Sequence, residues 1–153
     1  MKITKLIKIN LFSALLLTTS YSHAELQLSV GKVLNKTELS QLKSTRIQLG
    51  EQFYDVIPSL SSPNETYLIN TQHVVGINKN TVIVSDISLQ QFKSQAQDII
   101  NLSSSIQNYE HFKIVSLQFS DFNKTVDAYN KLIKIFKNSK VSIPIQFYQP
   151  KPR

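Results

Sequence analysis

The sequence predicts a single small domain of the α/β or α+β class: a mixed sheet in which a hairpin is followed by strand, helix, strand, helix and strand. Three observations predict it. β-Branched and aromatic residues gather in short runs bounded by turn residues, at Tyr67–Ile77 and Thr81–Val84. After Asp86 the apolar period lengthens from two to three or four residues. Extended and helical patterns then alternate as far as Tyr148.

Residues 25–66 read as a strand at Leu26–Val30, a short helix at Thr37–Lys43 capped by Thr37, strands at Arg46–Leu49 and Gln52–Ile57, and a loop at Ser59–Asn64. Tyr67–Ile77 and Thr81–Val84 read as antiparallel strands joined by the turn Asn78-Lys79-Asn80. Leu89, Phe92, Ala96, Ile99, Leu102, Ile106 and Tyr109 then recur at the spacing of one buried helix face, behind a capping box of Ser88 and Gln91. The polar positions of that helix are mostly Gln, Ser and Asn, which suits contact with another element or a partner.

Phe112–Phe119 is read as a strand with Val115, Leu117 and Phe119 on one side and both faces partly buried. Phe122–Asn138 is the clearest amphipathic helix. Its Phe122, Val126, Tyr129, Leu132, Ile133 and Phe136 fall within an arc of roughly 120°, with Lys124, Lys131 and Lys134 opposite. Val141–Tyr148 alternates as a strand, and Pro144 assigns it to an edge or a strand end. The tail 149–153 is extended. Right-handed strand–helix–strand crossovers make three of the later strands parallel, with the first hairpin strand antiparallel beside them.

The first residues place Lys2, Lys5 and Lys8 ahead of the apolar run Leu11–Leu17 and the small-residue site Ser22-His23-Ala24, so residues 1–24 read as a signal peptide cleaved after Ala24. That run is shorter than the ~20 residues that span a bilayer, and no transmembrane segment is expected elsewhere. The expected working form is therefore residues 25–153, in the periplasm or the medium. The chain has 0 Cys, so neither a disulfide nor a cysteine-linked lipid anchor is available. Asn35, Asn64, Asn101 and Asn123 begin Asn-x-Ser/Thr sequons, which a chain rich in these residues contains by chance; the lack of cysteine favours a bacterial source.

The net charge is +7, but three lysines leave with the signal. Residues 25–112 hold six basic and eight acidic side chains, whereas residues 113–153 hold eight basic and two acidic ones. One end of the fold is thus positive. Lys124, Lys131, Lys134 and Lys137 form a candidate anion-facing patch, against the plainer reading of a solvated helix face.

The sequence lacks a cysteine nucleophile and a Gly-x-Ser-x-Gly elbow, and its only glycines are Gly31, Gly50 and Gly76, so no phosphate-cradling loop or dinucleotide fingerprint is possible. No cofactor and no metal are expected. His73 and His111 sit apart from other ligand types, which suits structural roles. Ser85-Asp86 and Ser120-Asp121 each close a strand and open a helix. On adjacent parallel strands the two carboxylates would share one sheet edge, where they could do acid–base work; as helix caps they need no partner. Phe53, Tyr54, Tyr67, Phe147 and Tyr148 lie outside the helices and serve packing or, with lysines, a stacking surface; nucleic acid is an unsuitable partner for an exported protein.

These observations favour an exported, non-enzymatic protein-interaction module, such as an accessory subunit, chaperone, inhibitor or immunity protein. Its partner would be another exported or envelope protein, met through a sheet edge or the mid-chain helix. One alternative is a small hydrolase or metal-dependent enzyme using Asp86 and Asp121 with His73 or His111. A second is a binder of anionic envelope surfaces through the lysine-rich helix 122–138.

Overall fold

The computed structural model describes residues 28–62 and 64–148. The expected signal segment 1–24 and tail 149–153 lie outside them, as do the first residues of the strand expected at Leu26–Val30, whose remainder is not a strand.

Helix α1 (Lys36–Gln41) begins two residues earlier than expected because Asn35, not Thr37, is its cap. The Asn35 carboxamide oxygen accepts from the Glu38 N–H (3.0 Å), and Glu38 Oε2 accepts from the Asn35 N–H (2.9 Å). This reciprocal box satisfies two otherwise free donors. Strands β1 (Thr45–Leu49), β2 (Gln52–Ser62), β3 (Glu65–Asn70) and β4 (Val75–Asn78) follow as an antiparallel meander in that order. β2 runs on through the segment expected to be a loop, with its register against β3 shifting between Ile57 and Ser62. The expected hairpin is also relocated. The run Tyr67–Ile77 breaks after Asn70, whose side chain accepts from the Gln72 and Val74 N–H groups (3.0 and 2.9 Å) and holds a tight turn containing His73 at φ 63°.

Asn78-Lys79-Asn80 is therefore a corner between two sheets. Asn78 and Asn80 are fully buried there. Asn78 Nδ2 donates to the Pro144 carbonyl (2.6 Å), Thr66 Oγ1 donates to Asn80 Oδ1 (2.8 Å), and the Asn80 carbonyl accepts from the Phe119 N–H (2.8 Å). A buried amide kept fully bonded in this way fixes the angle between the sheets.

The second sheet is built from β5 (Thr81–Ser85), β6 (Ser105–Tyr109), β7 (Ile114–Gln118) and β8 (Lys140–Ser142) in the order β6-β7-β5-β8, with α2 (Leu89–Leu102) and α3 (Phe122–Ile135) in the crossovers. The long helix expected to reach Tyr109 stops at Ser103, and the last part of its apolar pattern is strand β6. This extra strand corrects the sheet. β5 and β6 do run parallel, as a crossover requires, but β7 lies between them and is antiparallel to both. β5 likewise separates the parallel pair β7 and β8. The class is α+β with two antiparallel sheets, and the second is a β-α-β-β-α-β unit of the split, ferredoxin-like kind.

Val82, Val84, Val115 and Leu117 bury one face of this sheet against Phe92, Ala96 and Ile99 of α2 and Ala128 and Leu132 of α3. Phe92 stacks on Phe136 at 5.2 Å. Phe122 and Val126 on another side of α3 pack with Val56 and Leu68 of the first sheet, so α3 is shared between both layers. Leu34, Leu39 and Leu42 cover the far face of the first sheet over Ile57, Ile69 and Val75. The strand expected at Val141–Tyr148 is split. Only Lys140–Ser142 pairs with β5. Residues 143–147 then cross to the first sheet as a strap, with Ile77 and Gln146 exchanging two 2.9 Å backbone hydrogen bonds.

Candidate functional site

Strand alternation that sends Val82, Val84, Val115 and Leu117 toward the helices sends the intervening residues to the opposite face. The register sets these out in rows: Thr81, Gln118 and Ser105; Ile83, Ser116 and Gln107; Ser85, Ile114 and Tyr109. α2 and α3 both lie on the other side, and among the described elements no helix or strand packs on these rows. Across β5, β6 and β7 the three rows carry no charge; in β8, Ser142 continues the middle row beside Ile83, and the exposed Lys140 continues the third beside Ser85 at the margin of the face. Ile83 and Ile114 are half-buried by their neighbours alone, while Tyr109 is 48% exposed and donates its hydroxyl to Gln107 Oε1 (2.8 Å). Ser105 Oγ and Gln118 Oε1 lie 3.4 Å apart. Apolar and uncharged hydrogen-bonding groups interleaved on a flat sheet suit a protein surface: such groups lose less on desolvation than charges do.

Beyond Asp86, an open groove of about 670 Å³ lies between the start of α2 and the end of β6, with Ser88, Lys93, Asn108, Glu110 and Lys113 in its lining. Asp86 and Lys113 both take left-handed backbone conformations here, at φ 63° and 51°. The Ile87 N–H donates to the Lys113 carbonyl (3.1 Å), closing the end of the β5–β7 ladder.

Asp86 and Asp121 follow adjacent strands but do not share an edge. Because β5 and β7 are antiparallel, their carboxyl ends lie at opposite ends of the sheet, separated by the ladder from Ser85↔Ile114 to Thr81↔Gln118, roughly 13 Å of strand. Asp121 is the cap of α3. Its carboxylate accepts from the Lys124 N–H (2.9 Å), and that bond, aided by the Ser120 hydroxyl and the Lys124 ammonium, holds its pKa below the ordinary 3.8. Asp86 is exposed, and Ser88 rather than Asp86 caps α2 through the Gln91 N–H (3.2 Å). His73 lies in the β3–β4 turn of the first sheet, and His111 in a 3-10 turn (Glu110–Phe112) between β6 and β7. Both are exposed. Among the described residues no three His, Asp or Glu side chains converge on a metal-sized site.

Lys124, Lys131, Lys134 and Lys137 are all exposed. Lys124 is engaged with Ser120 Oγ (2.9 Å) and Asp121 (3.6 Å), and with Lys131 and Asp127 it rims a small apolar cleft of about 110 Å³ floored by Ile99, Leu102, Phe119 and Ala128. The open-sheet residues Ile83, Gln107, Tyr109 and Ile114 are the ones sequence reasoning passed over. Their one signal was the mixed patterning of Phe112–Phe119, which marked a strand with both faces partly buried.

No protein-family model matches the chain, and no curated protein matches it significantly. Its structure is similar to one chain in the crystal structure of the complex of Aeromonas sobria serine protease and the chaperone. The two share 14% sequence identity over 71% of this chain and 100% of that chain, with a TM-score of 0.49.

Proposed function

We propose that this chain is an exported, non-enzymatic protein-interaction module, of the kind that serves as a chaperone, inhibitor, immunity protein or accessory subunit, and that it receives another exported or envelope protein on the open face of its second sheet. The observation that carries this is the stretch of that face formed by β5, β6 and β7, which is uncharged and has Lys140 only at its β8 margin. A sheet face that only bathes in water gains from charged side chains, which resist association. Across β5, β7 and β6 the rows run Thr-Gln-Ser, Ile-Ser-Gln and Ser-Ile-Tyr, and the two isoleucines sit where no described element covers them. Asp86 and Asp121 stand at opposite ends of the ladder, which leaves the hydrolase reading without its paired carboxylates.

The test is binding with the face altered. Wild type, Ile83→Lys and Ser116→Arg are immobilised and exposed to the exported fraction of the native host. Both substitutions place a charge at the middle of the face without touching the helix-side core. A partner retained by the wild type and released by both variants supports the reading. Retention of nothing, or equal retention by all three, overturns it. Cell fractionation with an antibody to the chain tests export.

A further inference from the structure

The outer edge of β6 is complementary to itself. The Phe119 N–H bonds the Asn80 carbonyl across the β5–β7 ladder, so antiparallel alternation turns the peptide groups of Gln118, Ser116 and Ile114 toward β6. Their partners Ser105, Gln107 and Tyr109 bond inward, and the N–H and C=O groups of Ile106 and Asn108 face away from the sheet. A second β6 laid antiparallel about a two-fold axis at Gln107 pairs Ile106 with Asn108 of the second copy, and Asn108 with its Ile106. Every outward peptide group of the strand then has a partner.

Two further observations fit the same axis. Leu102 and Phe112 are exposed by 60% and 73%, and they lie at equal sequence distances on either side of Gln107. Leu102 ends α2 and Phe112 lies in the 3-10 turn, so an antiparallel pairing of β6 brings the ends of the two copies that carry these residues near each other, outside the paired strands. Charge is also compatible. Ser105–Tyr109 carries none, so no like charges meet across the paired strands. Protein edges that stay solvated are guarded by charge, proline or a bulge. The free edge of β1 has such a guard in Arg46, which stacks over Phe53 at 5.2 Å; β6 has none.

The geometry points to a homodimer in which β6 pairs with β6 of a second copy, joining the two second sheets into one continuous sheet. The axis is perpendicular to the sheet, so both open faces point the same way and the dimer presents one enlarged docking surface. The contact uses the strand edge, so it stands or falls separately from docking on the face.

Sedimentation velocity and light scattering of the purified chain from micromolar to millimolar concentration test this. Dimer should grow with concentration, and amide exchange at Ile106 and Asn108 should slow as it does. Gln107→Lys and Gln107→Glu each set like charges face to face on the axis and should each raise the dissociation constant by about two- to fivefold. Mixing the two should restore dimer. Gln107 is exposed, so circular dichroism of both variants should match the wild type. A chain that stays monomeric throughout, or variants that self-associate as tightly as the wild type, overturn the proposal.

Discussion

Gly76→Ala is a direct probe of the strap that ties the two sheets together. Gly76 is buried in β4 beneath residues 143–147, and a Cβ there would lie 2.6 Å from Ile145 Cγ2 and 2.7 and 2.9 Å from the Phe147 ring. Carbon atoms attract at about 3.5–4.0 Å and repel well inside that distance, so either the strap lifts or β4 retreats. Removing a glycine from a strand stabilises by about 0.4–1 kcal/mol through the unfolded chain when the new methyl fits. Overpacking of a close-packed site destabilises by about 1–3 kcal/mol. The contacts are with a β-branched methyl and an aromatic ring edge, which yield little without moving their backbone, so the second effect wins and a net loss of about 1–2 kcal/mol is expected. Urea denaturation should show a lower midpoint at unchanged slope. Amide exchange should quicken at Ile77 and Gln146, whose paired bonds lie on either side of the collision. Phe147→Ala in the same chain should return part of the loss, because the two side chains then no longer compete. A variant as stable as the wild type, or one that loses stability with exchange at Gln146 unaltered, would refute the packing argument.

Other expectations concern the carboxylates and the core. Asp121→Ala should lose about 1 kcal/mol through the Lys124 N–H it leaves unbonded, while Asp121→Asn, an equally good cap, should melt like the wild type. Asp86→Gly should match or exceed wild-type stability by up to about 1 kcal/mol, since φ 63° strains any residue with a Cβ; a clear loss in thermal melting would show that the carboxylate makes a needed contact. Glu38 is held below the ordinary 4.5 by the Lys32 ammonium first and the Asn35 N–H second, and Asp121 is likewise depressed. Depressed folded-state values mean that the unfolded chain binds protons first, so their stabilisation is intact above 4.5 and disappears as pH falls through the folded values. Urea midpoints measured from neutral pH into that acid range should fall, and Glu38→Gln should flatten the fall. Phe92→Ala removes a fully buried ring stacked on Phe136 and should lose about 3–5 kcal/mol in the same assay.

Where burial followed one period, the sequence was readable. Phe122, Leu132 and Phe136 announced α3 by their helical spacing, although α3 serves two layers, and the valines of β5 and β7 announced buried strands by their alternation. The first sheet was partly readable: β1 and β2 were placed from Arg46–Leu49 and Gln52–Ile57, while the turn at Asn70 was hidden inside an apolar run, since it depends on a single side chain bonding two backbone amides. The helix start at Asn35 was missed for a related reason. Thr37 is an acceptable cap by type, but only the three-dimensional approach of Glu38 to the Asn35 N–H selects between them.

The consequential misreading was β6, and its cause bears on the site. Ile106 follows Leu102 by four residues and Tyr109 follows Ile106 by three, so both stay in phase with the buried face of α2 although the chain has left the helix. Ser103 ends it: its backbone is extended at φ −78°, ψ 149°, and its hydroxyl caps the Ile100 carbonyl at 2.7 Å. Apolar period alone cannot separate a helix continuing through 109 from a helix, a stop and a short strand. With β6 unseen, the crossover rule made β5 and β7 parallel and brought Asp86 and Asp121 to one edge. With β6 inserted, the same rule holds between β5 and β6, β7 turns antiparallel, and the carboxylates separate to opposite ends. The one strand thus dissolves the catalytic pair and at the same time supplies Gln107 and Tyr109 to the open face. The Gln, Ser and Asn composition first assigned to a covered helix surface therefore has a second location: the uncharged character of this stretch continues from α2 into a sheet face and a strand edge, and those are the surfaces where uncharged side chains favour association over solvation.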